Sequence, residues 1–146
     1  MPKITTFLMF DNQALEAMDY YVSVFPNSRI VERSPMGGTF ELDGQEFGCF
    51  NGGDSFHFAE GMSLMVHCET QDEVDRYWQE LSADGEVQMC GWVKDRFGVS
   101  WQIVPTVLLR LLQDPDRVKA ERVTNAMLQM KKIEIAGLEA AAAAPA

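Results

Sequence analysis

The order strand, helix, three strands is written twice in this chain, and a duplication of about 55 residues constrains the fold more than any single motif does. In the first copy, Lys3 to Phe10 is a run of Ile, Thr and Phe suited to a strand, and Asp11-Asn12 supplies a turn and a helix cap. Leu15, Met18, Val22 and Phe25 then recur at three- and four-residue steps, which predicts an amphipathic helix that Pro26-Asn27 terminates. Arg29 to Arg33, Thr39 to Leu42 and Gln45 to Phe50 read as three strands, joined by Pro35-Met36-Gly37-Gly38 and by the two-residue hairpin signal Asp43-Gly44. A loop from Asn51 to Gly61 follows and carries Phe56-His57-Phe58.

The second copy starts with a strand at Ser63 to Glu69. Thr70 caps a helix over Gln71 to Ala83, with Val74, Tyr77, Trp78 and Leu81 on its apolar side and Asp84-Gly85 at its end. Glu86 to Val93 is the next strand. The stretch Cys90 to Pro105 then reads as a hairpin, with Asp95-Arg96-Phe97-Gly98 as its turn and Pro105 as its stop. Asp95 and Arg96 are expected to form a local surface pair of little energetic weight. Within Val99 to Val104 the period of two puts Trp101 and Ile103 on one face and Ser100, Gln102 and Val104 on the other, so a polar amide sits mid-strand opposite the bulky side chains.

After Pro105 the chain turns helical. Val107 to Leu112 is a short apolar turn, Asp114-Pro115 reads as a cap followed by Pro at the first helical position, and Val118, Val123, Met127, Met130 and Ile133 recur at near-helical spacing. Such a stripe has to be buried, either on its own sheet or in a dimer, and the dimer is the favoured expectation. The segments are thus module one at 3–51, module two at 62–105, a helical extension at 106–135 and a flexible tail at 136–146.

With 146 residues the chain is long enough for one substantial core, and a net charge of −10 with only 12 Lys and Arg argues against nucleic acid and anionic membrane surfaces. No apolar run approaches the roughly 20 residues that span a bilayer, and the start MPKITTF lacks a signal peptide's features, so a cytoplasmic protein is expected. Cys49, Cys68 and Cys90 form no CxxC pair and read as small buried hydrophobes.

The runs FDNQALEAMDYYVSVFPNSRI, FELDGQEFGCFNGG and CGWVKDRFGVSWQIVP, in that order on a duplicated βαβββ frame, resemble the vicinal oxygen chelate superfamily of glyoxalases, bleomycin-resistance proteins and dioxygenases. Within it they are similar to the PhnB-like branch, labelled demethylubiquinone methyltransferase-like. The resemblance implies an α+β fold in which two modules form curved mixed sheets around a cup, commonly completed in a homodimer. It also implies metal positions on the first and last strands of each module. Carried onto this chain, those positions fall near Thr6, Gly48, Ser63 to Met65 and Gln102, of which Gln102 alone bears a plausible ligand. One neutral amide cannot hold a divalent ion against water, so no metal and no other cofactor is expected.

The candidate ligand-binding residues are Thr6, Glu46, His67, Trp92 and Gln102. Gln102 either orients a ligand or is satisfied by a neighbouring strand. His67 has the parity of Ser63 and Met65 and is a structural hydrogen-bonding residue or a general base. Glu46 shares parity with Gly48, and Trp92 offers a plane for stacking or belongs to the core. His57 reads as part of an aromatic loop pinned to a neighbouring surface. The turn Phe10-Asp11-Asn12-Gln13 has no glycine, which argues against a methyl-donor site after the first strand, and GGDSF precedes no helix. These residues predict a metal-free protein that binds a small apolar or aromatic molecule; the alternative is an enzyme of the same superfamily, a lyase, dioxygenase or methyltransferase, using a metal or His67 as base.

Overall fold

The computed structural model describes residues 3–145 and divides the chain between Phe58 and Ala59 into two compact units. The first contains β1 (Thr6–Phe10), α1 (Ala14–Val24), β2 (Arg29–Ser34), β3 (Gly37–Leu42) and β4 (Gln45–Asn51). The second contains β5 (Leu64–Cys68), α2 (Gln71–Ser82), β6 (Glu86–Val87), β7 (Trp92–Lys94) and β8 (Ser100–Pro105), followed by α3 (Thr106–Leu112), α4 (Arg117–Leu128) and α5 (Ile135–Ala143). The strand orders β1-β4-β3-β2 and β5-β8-β7-β6 are the same order written twice, each with one parallel pair between the first and last strand of its module. The duplicated α+β architecture expected from the sequence is therefore present, as two open, four-stranded mixed sheets plus C-terminal helices.

In the first unit the period of two separates the faces of the sheet. Leu8, Phe10, Phe40, Leu42, Phe47 and Cys49 are buried against Ala14, Ala17, Met18, Tyr21 and Val24 of α1, with Phe40 stacked between Tyr21 and Phe47 at centroid distances of 6.1 and 5.3 Å. Asp43 and Gly44 both take positive φ, 50° and 83°, as the two-residue turn that matches strand twist requires. The helix cap differs from the expected Asp11-Asn12. Gln13 is the N-cap residue and makes no side-chain cap bond; instead the Ala14 N–H donates to Asn51 Oδ1 at 2.8 Å from the far end of β4. The first turn of α1 is thus tied to the sheet by a residue 37 positions away.

In the second unit Cys68, Val74, Tyr77, Leu81, Val93, Trp101 and Ile103 are buried. Thr70 caps α2 as the sequence predicted, its hydroxyl accepting from Glu73 N. The extension departs from expectation in four ways. Asp116, not Asp114, caps α4, accepting from Val118 N and Lys119 N, while Asp114 Oδ1 takes the N–H of Asp116 in the preceding turn. Val118 is exposed. The stretch expected as a flexible tail contains α5, whose Leu138 is fully buried and whose Ala141 and Ala142 carbonyls accept from the Arg122 guanidinium at 3.0 and 2.9 Å. Leu108, Val123, Ile133, Leu138 and Val104 of β8 form one core, so Val123 and Ile133 of the apolar stripe are buried inside their own unit, with Met127 and Met130 packed against them.

Asn51→Ala is expected to destabilise the protein by about 1 to 2 kcal/mol, because the helix loses a cap, whereas Asn51→Asp keeps an acceptor at a helix N-terminus and costs less. Urea unfolding of the two variants checks the order.

Candidate functional site

The β7–β8 hairpin is built around Asp95. This carboxylate is 3 % exposed; Oδ1 accepts from Phe97 N at 2.9 Å and Val99 N at 3.0 Å, and Oδ2 accepts from the Trp101 indole Nε1 at 2.8 Å. The expected surface pair of Asp95 with Arg96 is therefore wrong: Asp95 is the buried acceptor of its own turn, and Arg96 lies 3.9 Å from Asp84. The physical reason is local. A short carboxylate at the head of a tight turn collects the N–H groups that the turn leaves unpaired, and a strand position six residues on brings the indole to the other oxygen. The spacing of Asp95, Gly98 and Trp101 carries this signal, and an Asx-turn reading would have found it.

Trp101 faces α2, so its neighbour Gln102 faces away. That second face carries Gln102 with its Cα partners Met65 on β5 and Trp92 on β7, then His67 beside Val104, and Ser100 beside Lys94. Gln102 Nε2 donates to Ser63 Oγ at 2.8 Å. Ser100 is buried, and its hydroxyl has no partner among the described residues. Gln102 and Trp92 are half-buried, and Met65 and His67 are exposed. Lys94 Nζ meets Glu60 at 3.2 Å at the edge of this group. The fold thus brings three of the candidate residues, His67, Trp92 and Gln102, to one sheet face, with an amide and hydroxyls set beside an indole and a thioether.

The other two candidates belong to the first unit. Thr6 shares parity with Leu8 and Phe10 and so lies on the α1 side of its sheet, paired with Phe47. Phe7 and Met9 occupy the opposite face, where the Phe7 ring lies over Gly48; a Cβ at Gly48 would sit 2.7 Å from it. Glu46 is on that same face, opposite Glu41, which Arg29 holds at 3.0 Å. Phe7 and Phe50 are exposed there, an apolar face that the sequence left ambiguous because both parities of β1 are hydrophobic. His57 is exposed, while its neighbour Phe58 packs edge-on against Phe10 at 5.4 Å, as expected of a pinned aromatic loop.

The donors do not fit a divalent ion. Thr6 faces α1, Gly48 has no side chain, and among the described residues no three His, Cys, Asp or Glu stand together. Cys49 and Cys68 are buried, and burial raises both thiols, Cys68 to about 12 with Glu73 and Glu69 adding to the effect. Cys90 is half-buried. Among the described residues no helix is long and apolar enough to cross a membrane.

This architecture, two βαβββ modules with mixed sheets, defines a protein of the glyoxalase-like fold. A glyoxalase-related enzyme from Fulvimarina pelagi shares it at a TM-score of 0.52 and 15% identity, over 73% of this chain and 91% of its own. A protein from Pseudomonas aeruginosa does so at 0.58 and 18%, over 72% and 98%. The chain belongs to the 3-demethylubiquinone-9 3-methyltransferase family, whose profile matches residues 2–104. The PhnB protein of Bacillus cereus is 40% identical, with a TM-score of 0.64 over 71% of this chain and 99% of its own. No curated protein matches the chain significantly.

Three outcomes follow from this geometry. Asp95→Ala removes the carboxylate that accepts from two turn N–H groups and the indole N–H, and is expected to cost about 3 to 5 kcal/mol in urea unfolding, with a shift in tryptophan emission. Under native, mildly alkaline conditions an aromatic disulfide reagent is expected to modify Cys90 first and Cys49 and Cys68 only on unfolding. Since the buried thiols hold their protons more tightly folded than unfolded, stability falls as pH rises from 9.0 toward about 12, which unfolding across that range measures.

Proposed function

We propose that this protein binds a small molecule, without a metal, on the face of module two that turns away from α2. The supporting observation is the Gln102–Ser63 pair, a half-buried amide and hydroxyl flanked by Trp92 and Met65 on one sheet face. Such a grouping gives a ligand a polar end to orient and a flat apolar surface to cover. The Gln102 amide oxygen accepts from the ligand's hydroxyl or N–H, the indole of Trp92 stacks on its ring, and His67 stands further along the same face. The ligand is therefore compact, with an aromatic or apolar body and one hydrogen-bonding head. Family membership supports the scaffold but does not supply the ligand, because one fold carries unrelated chemistries.

The position of His67 on this face favours one second reading, an enzyme in which the imidazole takes a proton from the bound molecule. The family's description names a methyl transfer, and that version makes S-adenosylmethionine a ligand. The proposal also takes the protein to be cytoplasmic and homodimeric, with no nucleic-acid or membrane partner. Its charge of −10 and the exposed Phe7 and Phe50 of module one support this.

A thermal-shift screen of small aromatic hydroxyl compounds, followed by calorimetry, tests the reading. Gln102→Ala is expected to weaken any ligand found by about tenfold, and His67→Ala less, with folding unchanged. Equal affinity in both variants, stoichiometric divalent metal in the purified protein, or tight binding of S-adenosylmethionine alone would each sink it.

A further inference from the structure

The family profile ends at residue 104, so α3, α4 and α5 lie beyond it, yet they are fastened to module two by backbone and side-chain hydrogen bonds. We infer that this extension is a wall of the module-two ligand face that limits the length of the molecule bound there, with Gln71 as the side chain that holds the wall in place. The inference rests on the ligand reading above.

Val104 is the evidence for where the wall stands. It shares a face with Gln102, but it is 4 % exposed and belongs to the core of Leu108, Val123, Ile133 and Leu138. Trp101 and Ile103, on the α2 side of the same strand, are not in that core. The extension therefore covers the side on which Gln102, Trp92 and Met65 lie, and covers it at its Val104 end. Val104 is two residue steps along the strand from Gln102, about 7 Å. A ligand with its head at Gln102 that extends toward Val104 meets the extension after that distance, and His67, the Cα partner of Val104, marks the boundary.

The fastening is polar and directional. Gln71, the first residue of α2, donates from Nε2 to the Ile133 carbonyl at 3.0 Å and accepts at Oε1 from Ile135 N at 2.7 Å, so one amide satisfies two backbone groups of the segment entering α5. Cys90 N and Gly91 N donate to the Met130 and Lys131 carbonyls, both at 2.8 Å. Gly91 has φ 83°, and a Cβ there would lie 2.9 Å from the Ile103 carbonyl and 3.1 Å from Ile133 Cγ1, so only glycine lets the segment approach. Lys132 pairs with Asp75 at 2.9 Å in a more exposed setting. The Gln71 amide, which also reaches Asp75, and then Lys132 hold that carboxyl below its ordinary range.

The test compares full-length wild type with Gln71→Ala and with Gln71→Ala/Ile133→Ala, using phenol and para-alkylphenols of increasing chain length as probes. Amide exchange reports the state of the extension. Exchange over Met130 to Ala143 is expected to rise in the variants, and at His67 and Val104 with it. Affinity for phenol stays level, while affinity for the longest alkylphenol rises about tenfold. Raised exchange over Met130 to Ala143 with His67 and Val104 still protected overturns the inference whether or not any phenol binds. So does an unchanged chain-length profile. Exchange unchanged by Gln71→Ala removes Gln71 as the latch. Failure of every phenol to bind either protein, with exchange behaving as expected, overturns the ligand reading itself and leaves the wall with nothing to limit.

Discussion

The carboxylate of Asp95 is the constraint from which the geometry of module two follows. It closes the β7–β8 turn through two backbone N–H groups and draws the Trp101 indole onto its second oxygen. Because side chains alternate along a strand, fixing Trp101 on the α2 side fixes Gln102 on the other. A buried carboxylate with three donors is costly to disturb and permits one register only. The polar grouping of Gln102, Ser63 and Trp92 is thus a consequence of a hairpin whose anchor lies on the opposite side of the sheet.

The two modules reach one topology by different local chemistry. Module one turns at Asp43-Gly44, where both residues take positive φ and the backbone alone makes the bend. Module two uses a longer turn folded onto a side chain. Divergence continues at the faces turned away from the helices. In module one that face is aromatic and exposed, with the Phe7 ring lying over Gly48. In module two it carries amide, hydroxyl and imidazole groups and is bounded by helices that lie outside the family profile. The two modules share strand order and pairing direction, which depend on backbone, and differ at the outward positions.

Much of this was readable from the residues. The repeat, the Asp43-Gly44 hairpin, the Thr70 cap and the opposition of Trp101 to Gln102 all rest on short-range patterns, periodicity and turn chemistry. The errors share a cause as well. Asp11-Asn12 reads as the cap of α1, but the acceptor comes from Asn51 across the sheet; of the apolar stripe after Pro105, Val123 and Ile133 join a core with Val104 and Leu138, while Val118 stays exposed. Thr6 lies on the α1 side of its sheet, a placement hidden in the sequence because Leu8 and Phe10 on one parity of β1 and Phe7 and Met9 on the other are all apolar.

The amino-acid sequence by itself determined the order of elements, the duplicated fold and the face each residue of β8 occupies, because these follow from local periodicity and backbone sterics. Tertiary structure alone decided that Asp95 is buried rather than exposed, that Gln71 fastens α5, and that Val104 leaves the open face for a helical core. Each of those is a meeting of residues with no periodic relation, or a burial that depends on what packs above it, and neither leaves a trace in spacing.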